Sequence, residues 1–145
     1  VFQAEGVRLL AENDFRAAAG AFQQGWEMAR RAGIQNTYVV PCLPWLATSL
    51  RREAERCRQV DPAESRRLLR QARRAARRGL RLARKFQNDL PHCLRELGLI
   101  ALATGHARRA QRLFDESLAV AAQQGARYEH AQTTLAQADL DAWEK

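Results

Sequence analysis

LRELGLIALATGHARRAQRLFDES, residues Leu94–Ser117, decides the fold. It reads as two short helices joined by a tight turn at Gly105, with small or apolar residues wherever the helices would touch. Leu94, Leu97, Gly98 and Ala101 recur at steps of three and four and mark the inner face of the first helix. Ala110, Phe114 and Ser117 mark the inner face of the second. Small residues at such contacts let two helix axes come close, and they suit a helical packing better than a sheet face.

The rest of the chain reads the same way. Of 145 residues, 46% are hydrophobic, many of them alanine, and only 7% are aromatic. Four prolines and eight glycines fall mostly between periodic segments. The expectation is a single all-α domain. No apolar run approaches the ~18 residues of a membrane span; YVVPCLPWLATSL, the longest, is interrupted by two prolines. No leader pattern opens the chain, and Val1-Phe2 already reads as helix, so the chain is expected to be a piece of a longer, cytoplasmic protein. Cys42, Cys57 and Cys93 are odd in number and far apart, which points to reduced thiols rather than a disulfide frame or a zinc knuckle.

Three segments end alike: MARRAG (Met28–Gly33), LARKFQ (Leu82–Gln87) and VAAQQG (Val120–Gly125). Each follows a small residue, Gly25, Gly79 or Ser117, and these are spaced by 54 and 38 residues. The longer spacing predicts about two extra turns in each helix of the middle pair. Seven helices are expected, over roughly 2–12, 15–31, 38–59, 62–86, 91–104, 107–124 and 127–143. Asn13-Asp14 and Asp61-Pro62-Ala63-Glu64 supply helix starts, the latter with an Asp cap, Pro at the first position and Glu at the third. Gly33 and Gly125 supply stops. Pro41 and Pro44 predict a kink, or a helix beginning near Pro41.

With those positions in hand, the chain resembles the tetratricopeptide (TPR) repeat, a helix–turn–helix unit of about 34 residues that stacks into a solenoid. The resemblance is carried by Leu94–Ser117 and by Gly6, Leu9, Ala18, Phe22 and Gly25, which match it in the first pair. It implies a right-handed α-solenoid with units at 2–33, 36–87 and 90–125 and a half-unit at 127–145. Long, proline-poor units of this kind, and the phrase GARYEHAQTTLAQADL, resemble helical regions of multidomain bacterial signalling proteins: transcription regulators, Ser/Thr kinases and nucleotide cyclases. Such solenoids are binding scaffolds in which the first helix of each pair lines a concave groove. Carried across by motif position, Thr48, Arg51, Arg52, His92, Arg95 and Leu99 face that groove, with Val7 and Leu10 in the first unit. Val7 and Leu99 stand where a carboxylate clamp requires asparagine, so no clamp is expected. Trp45, in the proline-rich entry to the third helix, is a further candidate partner contact, since exposed tryptophans anchor interfaces. Trp26, beside Gly25, is expected to pack between units, and Trp143 to lie near an exposed end. The resulting expectation is a basic groove wall at Arg51, Arg52 and Arg95 that holds an acidic or amphipathic segment of a protein partner or of the parent chain.

Charge is unevenly distributed. Residues 51–85 hold 14 Arg and Lys against 4 Asp and Glu, whereas the whole chain carries +8. Arg66, Arg70, Arg73, Arg77, Arg81 and Arg84 form one stripe on the fourth helix, which Arg67, Arg74 and Arg78 widen; Leu69, Ala72, Ala76, Leu80 and Ala83 form the opposite, apolar face. Three readings stand: a solvated face of good helix formers, a contact for an acidic protein, or a contact for nucleic acid without sequence preference. Self-association through exposed solenoid ends is a further reading.

Catalysis is not expected. There is no P-loop, no GxGxxG after a strand, no GxSxG elbow and no HExxH. His92-Cys93 point about 100° apart on a helix and make no ready dyad; His92 is expected in the groove and Cys93 in the core. His106 and His130 have no companions at metal-ligand spacing, and Asp115, Glu116, Asp139 and Asp141 read as solvated. Neither a metal nor a cofactor is expected.

Overall fold

The computed structural model describes residues 1–143, apart from the Trp143 side chain, so the expectation for that residue lies outside the described part. The protein is all-α, with seven helices among the described residues: α1 (Phe2–Ala11), α2 (Phe15–Arg31), α3 (Cys42–Cys57), α4 (Pro62–Ala83), α5 (Leu90–Ala103), α6 (Ala107–Gln124) and α7 (Arg127–Trp143). A 3-10 turn, Gln87–Asp89, precedes α5.

The boundaries follow local chemistry. Asp14 caps α2 by accepting from the Ala17 amide at 3.1 Å, and Asp61 caps α4 by accepting from the Glu64 amide at 2.9 Å. These bonds satisfy donors that have no partner inside the helix. Gly33, Gly105 and Gly125 take φ of +68°, +80° and +64°, a region that glycine enters without a Cβ clash. Of the two expectations for the third helix, a kink or a start near Pro41, the structure has the start, with Pro41 as the N-cap. Residues 37–41 form turns, with Val39 and Val40 amides donating to the Asn36 carbonyl, and regular helix begins at Cys42. Pro41 disfavours helical geometry in the residue before it, and Pro44 fits because it lies in the first turn, where no amide donor is needed.

Each helix packs on the next in chain order, and the odd-numbered helices also touch one another: α1 with α3, α3 with α5, α5 with α7. No even-numbered pair does so to a comparable extent among the described residues. The small residues at the three repeated positions explain how. A Cβ on Gly25 would lie 3.1 Å from Phe2 Cβ and 3.4 Å from Cys42 Sγ, and one on Gly79 would lie 3.2 Å from Leu43 Cβ and 3.0 Å from Cys93 Sγ. Ser117 bonds the Pro91 carbonyl at 2.9 Å and the Thr133 hydroxyl at 2.8 Å. Each position on an even helix is thus pressed between the two flanking odd helices, and only a small side chain fits there.

A second contact repeats within the outer pairs. Phe22 is fully buried over Gly6, and Phe114 over Gly98. In the middle pair Ala76 stands at the corresponding distance before the small residue. Phe22 belongs to the main core with Ala18, Leu46, Ala47, Ala72 and Leu97; Phe114 belongs to a second cluster with Ala101, Ala110, Ala136 and Leu140. The extra residues of the middle pair go only partly into its helices. α3 has 16 residues and α4 has 22, and the remainder form the turns at 32–41 and 84–89 instead of two further turns on each helix. The buried face of α4 is also rotated from the expected one: Leu68 and Ala75 are buried, and Leu69 and Leu80 only partly.

Candidate functional site

Because the odd helices share one layer, residues far apart in sequence meet on its outer side. Trp45, Thr48, Arg51 and Arg52 of α3, His92, Arg95, Glu96 and Leu99 of α5, and Tyr128, Gln132, Leu135 and Asp139 of α7 line a groove of about 710 Å³. All seven residues expected to contact a partner border it. Val7 and Leu10 do not: Val7 is exposed elsewhere and Leu10 packs against the main core.

The groove chemistry differs from the expectation. Arg51 and Arg95 do not form an open basic wall, because both are buried, 8% and 6% exposed, and both are paired. Arg51 Nε donates to Glu96 at 2.7 Å, and another of its nitrogens donates to Glu55 at 2.6 Å. Arg95 pairs with Glu129 of α7. Glu96 is itself only 2% exposed. Burial alone would raise its pKa, but the adjacent Arg51 guanidinium outweighs burial and holds it at about 2. Arg51 shows the mirror effect: burial lowers its pKa, and Glu96 and Glu55 drive the net shift upward.

His92 is buried beneath the groove, 4.6 Å from the Trp45 ring in an edge-on arrangement. Burial, reinforced by Arg95, lowers its pKa to about 3, so the imidazole is neutral. Thr48 Oγ1 lies 3.0 Å from His92 Nε2 and 2.9 Å from Glu96 Oε1. The same Oγ1 lies 3.1 Å from the Pro44 carbonyl; that carbonyl and the ionised carboxylate only accept, so they share the single threonine proton, and His92 Nε2–H donates to Thr48. The network His92–Thr48–Glu96–Arg51 is therefore satisfied internally and offers no base or nucleophile to solvent. It ties α3 to α5 and fixes the groove floor.

What the groove presents outward is apolar and balanced. Tyr128 is 60% exposed and Leu135 64%, and Leu99 and Trp45 are partly so. Trp45 is held from beneath by Phe22, whose ring stacks on it at 6.4 Å. Arg52, Glu55 and Asp139 are exposed at the edge, one cation against two anions. Tyr128 and Leu135 were not singled out from the sequence. The available signal was the step from Leu99 to Leu135, close to one repeat, which puts the same residue type on the same face of the next odd helix.

No protein-family model matches the chain, and no curated protein matches it. Among the described residues no group of three or more His, Cys, Asp or Glu could hold a metal ion, and no helix is long and apolar enough to cross a membrane. Cys42 and Cys93 are buried and Cys57 is partly buried; all three are free thiols. Trp26 packs with Cys42 and Leu43 at the α2–α3 contact, with the Arg78 guanidinium 5.2 Å from its ring centre. His106 and His130 are exposed. The α4 arginines do not line the groove: Arg66, Arg70, Arg77, Arg81 and Arg84 are exposed and Arg73 partly so.

The network makes the fold acid-sensitive. The unfolded chain protonates histidine near 6.5, whereas folded His92 resists until about 3, so stability is lost as pH falls through that window. Glu96 acts in the same direction: its contribution is present above 4.5 and fades as pH falls towards 2. Asp89 opposes them. Burial raises it to about 6 from 3.8, so its penalty at neutral pH is relieved on acidification. With two groups against one, Tm is expected to fall between pH 6.5 and 3, and His92→Gln to flatten the upper half of that slope. A Tm independent of pH, or a slope unchanged in the variant, would contradict a buried neutral imidazole.

Proposed function

We propose that this chain is a protein-interaction scaffold of TPR-like layout, the regulatory or sensor region of a larger signalling protein, and that it seats the apolar face of a partner helix between α3, α5 and α7. The observation that carries the reading is the groove itself: three successive odd helices contribute Trp45, Leu99, Tyr128 and Leu135 to one concavity, and two of these side chains are mostly exposed. Large apolar groups left open in a concavity are what a helix-in-groove contact uses. With Arg51 and Arg95 neutralised inside the wall, the partner segment is apolar rather than acidic, and Arg52 and Asp139 set its orientation at the edge. The odd-to-odd stacking supports the solenoid part of the proposal, since that layer would extend as pairs are added.

The test avoids the buried ion pairs. A display library of helix-length peptides is selected on the wild-type chain and then measured on Tyr128→Ser/Leu135→Ser. Loss of about 2–4 kcal/mol of binding, with far-UV circular dichroism and Tm unchanged, is the expected result for two interface anchors. Selected peptides that bind both proteins equally would remove the groove from the proposal.

A further inference from the structure

Arginines outside the groove form a second surface. Ser65–Asn88 carries ten Arg and Lys and no Asp or Glu. Among the described residues, only Arg67 of these is in an ion pair, with Glu64. The surface is not confined to α4. Arg73 and Arg109 line one shallow pocket, and Arg109 and Arg112 line the next together with Glu116, so α6 extends the face with two cations against one anion. Partial desolvation lowers the Arg73 pKa, and the neighbouring Arg77 and Arg109 charges act in the same direction.

We infer that this face, built from Arg70, Arg73, Arg77 and Arg81 of α4 with Arg109 and Arg112 of α6, binds the phosphate backbone of a nucleic-acid duplex without reading its sequence. Two observations choose the duplex over other anions. First, among the described residues no large apolar side chain is exposed between Val60 and Tyr128. A protein interface needs a desolvated apolar centre, and this face has none. Second, the rings beside the α4 cations, Trp26 under Arg78 and Phe86 by Lys85, are buried and partly buried, so no open aromatic face stacks an unpaired base, as single-strand binders require. What remains is a regular row of cations. From Arg66 to Arg84 it runs about 27 Å along the helix, over which one duplex strand presents about eight phosphates. The apolar side of α4 is occupied by the core, with Leu68, Ala72, Ala75 and Ala76 buried, so the helix has no face left to insert into a bilayer. This surface is independent of the groove and shares no lining residue with it.

The experiment is fluorescence anisotropy of a labelled, mixed-sequence DNA duplex of about 20 base pairs, titrated at several salt concentrations from about 50 to 200 mM. An RNA duplex and phosphatidylserine vesicles serve as parallel probes. Six phosphate contacts predict a log–log salt slope near −5 (about −0.9 per contact). Arg70→Gln/Arg77→Gln/Arg109→Gln, all at exposed positions, should make the slope shallower by about 2.7 and weaken binding more than tenfold at the lowest salt. Arg30→Gln/Arg31→Gln/Arg127→Gln, which removes the same charge elsewhere, should leave the slope unchanged. Binding of either duplex with this pattern supports the inference. It is overturned by no binding at the lowest salt, by equal losses in the two triple variants, or by tighter binding to vesicles than to duplex.

Discussion

Glu96→Ala is expected to destabilise the protein by about 3–5 kcal/mol, because it leaves the Arg51 guanidinium buried with its main partner removed. The carboxylate takes two bonds from Arg51, at 2.7 and 3.1 Å, and one from Thr48 at 2.9 Å. Without it, Arg51 keeps only half-exposed Glu55, and Thr48 and His92 lose the end of their chain. For a domain of this size the loss corresponds to a Tm lowered by roughly 10–15 °C. Urea denaturation followed by circular dichroism measures it. Arg51→Met/Glu96→Leu should recover most of the loss, since replacing both charges with apolar groups removes the desolvation cost together with the attraction. If Glu96→Ala costs under about 1 kcal/mol, the pair is solvated and the account of the groove floor is wrong. The same reasoning explains why charge reversal at Arg51 or Arg95 is a poor probe of binding: it would unfold the wall before it reported on a partner.

The second large effect comes from the outer-pair contact of glycine and phenylalanine. Phe114→Ala should cost about 3–5 kcal/mol, as the fully buried ring is replaced by a cavity between α5, α6 and α7. Gly98→Ala should cost about 1–3 kcal/mol, because the new Cβ would overlap the Phe114 ring, which is enclosed and has no room to move. The two changes are strongly coupled. In the Phe114→Ala background the overlap is gone, and Gly98→Ala should then stabilise by about 0.5–1 kcal/mol through its better helix propensity. A double-variant cycle by urea denaturation reads this change of sign directly. Additive effects would mean that ring and glycine are not in contact. Gly6 and Phe22 offer an independent copy, where an added Cβ would lie 2.5 Å from Phe22 Cζ.

Helix positions, caps and turn glycines were legible in the chain because each depends on residues a few positions apart. Asp14 reaches the amide three residues on, Asp61 does the same, and Gly125 closes α6 by its own backbone freedom. The inner-face residues Leu94, Leu97, Gly98, Ala110, Phe114 and Ser117 were equally readable from periodicity, and all are buried. The start of α3 was only half legible: the prolines announce a break, but whether the extra residues become helix or turn depends on what packs over them.

Site residues divide along the same line. The place of Thr48, Arg51, Arg52, His92, Arg95 and Leu99 beside a groove was implied by the tetratricopeptide resemblance, and that of Trp45 by its proline-rich setting; all seven border the groove. Their charge state was not legible. Glu96 lies 45 positions from Arg51, and Glu129 lies 34 from Arg95, and nothing local distinguishes these carboxylates from the solvated ones at Asp115 or Asp141. The sequence by itself determined the helices, their inner faces and the one-signed stripe on α4, because backbone hydrogen bonding and side-chain period act over a few residues. Only the tertiary structure decided which arginines are neutralised and which remain free, because the strength of an ion pair depends on a distance and a degree of burial that exist only once distant helices have packed.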